Sequence, residues 1–287
     1  DAAFPRPFFG PAQFYRLEQR DPVASMKLFI HFVKSVVPKP VLDRLRGAFY
    51  VGRSIPQIES YRSRIAGKQG IEIGGPSSLF FTKLPLYQVA KSVDGVNFSD
   101  STIWEGEIQS GQSYGYYAGK KGVQYVGDAV DLSMIKSSSY DFLLSSNCLE
   151  HIANPLKALA EWGRVLKYGA ALVLVLPRKE SNFDHKRPVT SFEHLLQDFE
   201  ANVSEQDLTH LDEILSLHDL SLDLAAGNLE EFAIRSRNNF ENRTLHHHVF
   251  DIPLISTMLE HAGFEVINSQ VTQTDFITLA LKKNLGS

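Results

Sequence analysis

Tyr140-Asp141-Phe142-Leu143-Leu144-Ser145-Ser146, then Asn154-Pro155, then Ala170-Ala171-Leu172-Val173-Leu174-Val175-Leu176-Pro177 read as strand, helix start and strand within 38 residues. The first run is apolar and ends in polar residues. Asn154 is an N-cap and Pro155 suits the first helical position, with apolar residues at 156, 159, 160, 163 and 166 on one face. Gly169 closes that helix. The wholly apolar run 170–176 is what a central strand needs when both its faces are covered. Such an order is a parallel crossover unit, and it sets the expectation for the rest of the chain.

Upstream, Gly70-Ile71-Glu72-Ile73-Gly74-Gly75 reads as a buried strand running into a glycine turn, and Pro76-Ser77-Ser78-Leu79 as the cap of a following helix. Ala90–Asp94 and Val123–Asp128 are a second and third strand. Downstream come a helix around 252–262, a strand at Phe264–Ile267 and a last strand at Phe276–Leu281. The alternation predicts an α/β domain over 67–283. It is interrupted at 178–248, where Thr190-Ser191-Phe192-Glu193, Ser204–Asp207 and Asn228–Glu231 look like helix starts. Residues 26–66 read as an N-terminal helical segment, and 1–25 as a leader, native or vector-derived. The amphipathic stretch 27–37 suits docking on protein or contact with a membrane surface.

The 287 residues carry 29 Lys plus Arg against 33 Asp plus Glu, a net charge of −4, which gives no global attraction to nucleic acid. The insert has no Lys or Arg between Pro188 and Ile234, and eleven acids within 193–231, so that face repels a phosphate backbone. No apolar run approaches the length of a spanning helix. The single Cys148 excludes an intramolecular disulfide and fits a reducing compartment; the expected location is cytoplasmic or membrane-peripheral.

In open α/β sheets, ligands bind beyond the carboxyl ends of the strands. Gly74 and Gly75 let a ligand approach the backbone, and the helix start after Pro76 offers N–H groups to an anion. Asp94, 19 residues beyond Gly75, suits a ribose diol, and Asp128 suits an adenine amine. Either is also read as a plain loop or cap residue. Together the strand ends fit a cofactor with an adenosine and a charged tail.

With these residues the chain resembles the class I S-adenosylmethionine-dependent methyltransferases. The motifs are Ile71-Glu72-Ile73-Gly74-Gly75, Gly127-Asp128-Ala129-Val130-Asp131-Leu132, Tyr140-Asp141-Phe142 with Leu149-Glu150-His151-Ile152 and Pro155, and Arg164-Val165-Leu166-Lys167 with Gly169. The resemblance implies a Rossmann-like, seven-stranded mixed sheet with an antiparallel last strand, and S-adenosylmethionine as cofactor. It implies that Glu72 orders the glycine turn, that Gly74, Gly75 and Pro76 flank the amino-acid tail, and that Asp94, or Asn97 if the strand is longer, holds the ribose. Asp128 and Ala129 meet adenine, and Asn147 sits near the methionine end. Pro76 and Ser77 depart from the usual glycines, and Tyr168 and Ala170 from the usual Pro and Gly around Gly169. The span from 94 to 128 is also long, and its Trp104, Tyr114, Tyr116 and Tyr117 either cover the cofactor or pack a loop.

The expected reaction is O-methylation of a small polar or glycan-linked acceptor, as in polysaccharide biosynthesis. The alternatives are a nicotinamide-dependent oxidoreductase and a non-catalytic binding protein. A hydroxyl acceptor needs a base, and His151, His185 and His247 are the candidates. Asp184, Arg187, His246 and His248 are candidate substrate contacts, and the helical insert a substrate lid. No metal is expected, because three consecutive histidines on a strand alternate sides. Oligomeric state is not legible.

Overall fold

A computed structural model describes residues 55–223 and 225–284 of the chain. The readings of 1–25 as a leader, of most of 26–66 and of the stretch 27–37 lie outside the described residues. Among those described, no helix is long and apolar enough to cross a membrane.

The strands are β1 (Gln69–Ile73), β2 (Ser92–Asn97), β3 (Ser101–Thr102), β4 (Gly106–Glu107), β5 (Gly111–Tyr117), β6 (Lys120–Val126), β7 (Tyr140–Ser146), β8 (Leu166–Pro177), β9 (Phe264–Val271) and β10 (Asp275–Lys282). Eight of them make one sheet in the order β5-β6-β2-β1-β7-β8-β10-β9, and β3 and β4 form a separate hairpin. Pairing is parallel from β6 to β8, while β10 is antiparallel to both β8 and β9. The seven expected strands and the antiparallel last one are all present. The eighth, β5, comes from the long 94–128 span and pairs antiparallel with β6 at the sheet edge.

Period-two alternation sorts the strands onto two apolar layers. Ile71, Ile73, Leu143, Leu172 and Leu174 pack on one face with Trp162 and Leu159, and with Ile255 and Met258. Phe142, Leu144, Val173 and Val175 pack on the other with Tyr61, Ile65, Phe80 and Tyr87. Helix α1 (Ile58–Ile65) buries Tyr61 and Ile65 in this second layer. Helix α2 (Pro155–Val165) starts as expected, with the Asn154 side chain accepting from the Lys157 N–H. It ends at Val165, and β8 begins at once, so Gly169, at φ +70°, turns the strand entry and does not cap the helix.

The insert is helical: α3 (Phe192–Glu200), α4 (Leu211–Leu217), α5 (Leu229–Arg237) and α6 (Asn239–Asn242). Ser191 and not Thr190 caps α3, because the Thr190 hydroxyl accepts from the Val249 N–H. Residues 204–207 form a turn and not a helix start, with the Asp207 N–H bonded to the Ser204 carbonyl. The reciprocal capping box between Asn228 and Glu231 is formed in full. Helix α7 (Ile252–His261) then leads back into the sheet.

Candidate active site

The register places the carboxyl ends of the central strands side by side: Ile73 pairs with Val96 and with Ser145, Ser146 with Val175, and Asn97 with Val126. The chain crosses from β1 to β2 on one side and to β7 on the other, so the ends open at the switch point. A cavity of about 440 Å³ lies there, a size suited to a cofactor. Its walls include Gly74, Asn97, Phe98, Asp128, Ala129, Asn147, Glu150, His151 and His246.

Gly74 has φ +78°, and a Cβ there would meet Cys148 Sγ at 2.7 Å, so the turn needs glycine twice over. A Cβ on Gly75 would meet the Glu72 carboxyl at 2.2 Å. Glu72 is buried beneath this turn. Its Oε1 accepts from the Ser77 N–H at 2.9 Å, and its Oε2 accepts from the hydroxyls of Tyr87 at 2.5 Å and Tyr114 at 2.6 Å. Burial pushes the Glu72 carboxyl up to about 7, against those three donors, which favour the charged form. The helix expected after Pro76 is a single 3-10 turn, Ser78–Phe81, and the Ser77 N–H is spent on Glu72 and Tyr87. The anion-binding helix terminus expected there is therefore not formed.

The second strand runs three residues past the expected boundary, which moves its end from Asp94 to Asn97. Asp94 is buried within the sheet, its carboxylate accepting from the Val123 N–H at 2.8 Å and the Tyr140 hydroxyl at 2.8 Å, and it does not line the cavity. Asn97 does, and its Nδ2 donates to the Gly75 carbonyl at 3.1 Å, joining the second strand end to the glycine turn. Asp128 lines the cavity with its Oδ1 accepting from the Val130 N–H and its Oδ2 from Arg243 at 2.9 Å. The Ala129 carbonyl is held by the Trp162 indole N–H at 3.1 Å. Asn147 takes positive φ at the end of β7. Pro76 lies outside the lining, as do Gly75 and Glu72.

Among the described residues, two histidines, His151 and His246, line the cavity. His151 Nδ1 lies 3.1 Å from the Leu245 carbonyl, which only accepts, so that nitrogen carries the proton. Burial, with His246 beside it, pushes its pKa well below the ordinary value. His246 packs edge-on at 4.6 Å between ring centroids, and its Nδ1 is 2.5 Å from Asp184 Oδ2. Burial acts to lower the His246 pKa, but Asp184 outweighs it and the net direction is up.

The other candidates are placed elsewhere. His185 pairs with Asp219 at 2.9 Å, away from the cavity. His247 is buried against Asn239 at 3.0 Å and Glu205 at 3.3 Å. His248 bonds the Ala153 carbonyl. Asp184 and Arg187, expected as substrate contacts, are not among the cavity's lining residues: Arg187 is 1% exposed and donates to Asp184, Glu213 and the carbonyls of His246 and His247. Burial would raise the Asp184 carboxyl, yet His246 and Arg187 hold it down at about 2. The pair thus shapes the site from behind.

Sequence reasoning missed Phe98, Glu150 and Arg243 as cavity residues. Phe98 directly follows the true strand end, and Glu150 belongs to a quoted motif, so both carried a signal. Arg243 carried none, because it reaches Asp128 across 115 positions. The 94–128 span divides its aromatics: Trp104, on the β3–β4 hairpin, lines the cavity, whereas Tyr114 and Tyr116 are buried in the core.

Residues 71–174 match the family model of a methyltransferase domain. A search of curated proteins finds no match. Among solved structures the chain is similar to an S-adenosylmethionine-dependent methyltransferase from Methanosarcina mazei, at 20% identity over 80% of this chain and 99% of that one, TM-score 0.45. It is also similar to one from Aquifex aeolicus, at 15% identity over 82% and 98%, TM-score 0.42. A third is a Haloferax volcanii methyltransferase in complex with its Trm112 activator, at 12% identity over 84% and 94%, TM-score 0.44.

Proposed function

We propose that the chain is a class I S-adenosylmethionine-dependent methyltransferase, on the match of residues 71–174 to a methyltransferase domain, and that it methylates a hydroxyl of a small polar or glycan-linked acceptor, with His246 taking the proton. The residues around the cavity fit the cofactor. The Gly74 turn is too tight for any side chain, and Asn97, Phe98, Asp128 and Ala129 supply polar and aromatic groups in reach of an adenosine, with Asn147 toward the methionine end. Bound there, the cofactor would supply an electrophilic sulfonium methyl group, with its thioether sulfur as the leaving group.

The observation that carries the hydroxyl assignment is the Asp184–His246 pair. A carboxylate on Nδ1 fixes the tautomer and leaves Nε2 as the ring's remaining nitrogen, on a residue that lines the cavity. His151, held neutral by its burial, suits a hydrogen-bonding neighbour better than a second charge. Trp104 offers an exposed aromatic face at the rim and Asn182 an amide, a combination suited to the apolar face and hydroxyls of a sugar ring. A nicotinamide cofactor has less support, because Pro76 and Ser77 stand where its fingerprint needs a further glycine.

The test is label transfer from methyl-tritiated S-adenosylmethionine to a panel of pyranosides, polyols, amines and thiols. Hydroxyl acceptors should be labelled, and His246→Ala should lower that rate roughly 10²–10⁴-fold with cofactor affinity nearly intact. Since Asp184 raises the His246 pKa and only the neutral ring accepts a proton, the rate should rise with pH through a midpoint above 6.5. Labelling of amines or thiols alone, or a His246→Ala variant as fast as the parent, would contradict the proposal.

A further inference from the structure

Four side chains of the insert and the segment after it converge at a second place, which neither the cavity nor its chemistry uses. His194 and Asp198 lie one turn apart on a single face of α3, His210 is the N-cap residue of α4, and His248 stands two positions beyond His246. One donor atom from each lies within 4.8 Å of the other three. His194 Nε2 is 3.0 Å from His210 Nε2 and 3.3 Å from Asp198 Oδ2, which is 3.6 Å from His248 Nε2.

We propose that His194, Asp198, His210 and His248 form a zinc site that fastens the helical insert to the 246–248 segment. Three imidazoles and a carboxylate are borderline nitrogen and oxygen donors of the kind zinc takes. Tetrahedral zinc with bonds of 2.0–2.1 Å has donor-to-donor edges of about 3.3 Å, and the three separations above bracket that value. Asp198 Oδ2 is buried and, among the described residues, accepts no hydrogen bond. A buried carboxylate oxygen left so is costly, and the insert contains no Lys or Arg between Val189 and Ala233 to neutralise it. A divalent ion supplies that charge. His248 Nε2 then leaves the Ala153 carbonyl, 3.1 Å away, for the ion.

Four protein ligands fill the coordination sphere, so the ion has a structural role and no open position for chemistry. It joins two insert helices to the segment that presents His246 to the cavity. The three consecutive histidines thus part company: His246 serves the cavity, His247 packs on Asn239 and Glu205, and only His248 turns to the ion. The proposal does not rest on the methyl acceptor or on the base.

The test uses the tag-free full chain, stripped with a chelator and titrated with zinc chloride against a chromophoric competitor, with metal content read by mass spectrometry. One zinc per chain is expected, with a higher thermal midpoint in its presence, and cobalt should give the strong visible bands of tetrahedral coordination. His194→Gln and His210→Gln, at partly exposed positions, should each weaken zinc roughly 100-fold or more, while His185→Gln leaves it unchanged. Circular dichroism and retained S-adenosylhomocysteine binding would show that the variants are folded. A parent chain that holds no zinc at micromolar metal overturns the proposal whatever the variants do. So does a His194→Gln/His210→Gln double variant that binds zinc as the parent does; in either case the 3.0 Å contact is an ordinary N–H···N hydrogen bond.

Discussion

Glu72 shows how much of the site one buried side chain can hold. Its carboxylate takes three donors from three separate segments, at Ser77, Tyr87 and Tyr114, and so ties the glycine turn to the second core layer and to the edge strand β5. Glu72→Gln keeps the shape but presents an NH₂ group to donors. It should cost about 1–3 kcal/mol in urea denaturation, since a buried donor loses its partner. It should also change the pH dependence. The folded chain keeps the Glu72 proton up to about 7, whereas an unfolded glutamate releases its proton near 4.5. The folded state therefore binds more protons in that window, and stability falls as pH rises through it. Glu150, also pushed up to about 7 by burial, adds the same slope, so the Gln variant should show a shallower fall but not a flat one. A parent-like midpoint and slope would mean that the Glu72 network contributes nothing.

At the scale of elements, the capping box of α5 is the cleanest local device in the insert. The Asn228 side chain accepts from the N–H groups of Glu230 and Glu231, and Glu231 Oε2 accepts from the Asn228 N–H. Asn228→Ala should cost about 1 kcal/mol, seen as faster hydrogen exchange over 229–237 with cofactor binding unchanged. Exchange at the parent's rate would show that tertiary packing alone holds the helix. This box was legible in the sequence because its partners are three residues apart. So were β7, β8 and the start of α2, where apolar runs, an N-cap and a proline agree. The failures are of another kind. The second strand looked finished at Asp94 because an acid followed by Gly95 reads as an end, yet Tyr140 and Val123 satisfy that acid inside the sheet. Edge strand β5 reads as a loop, since Gly111, Gly115 and its exposed polar residues hide the inward pair Tyr114 and Tyr116. His185 read as a base and Asp184 and Arg187 as substrate contacts because their partners, Asp219, His246 and Glu213, lie 26 to 62 positions away.

Over the described residues, the site is the product of strand order: five strand ends from four crossings meet at one opening, and the insert adds Asn182, Phe183, Arg243 and His246 to its wall. Arg187 ties that wall together, with bonds to α4, to Asp184 and to the carbonyls of His246 and His247. The central claim is that this opening holds the cofactor and that Asn97, not Asp94, is its second-strand contact. Calorimetry with S-adenosylhomocysteine tests it directly, using the parent chain and Asn97→Ala. The parent should bind, and Asn97→Ala should bind about tenfold or more weakly, the loss of one to a few kcal/mol. A parent that takes up no S-adenosylhomocysteine at millimolar ligand, or an Asn97→Ala variant with the parent's affinity, would contradict the account.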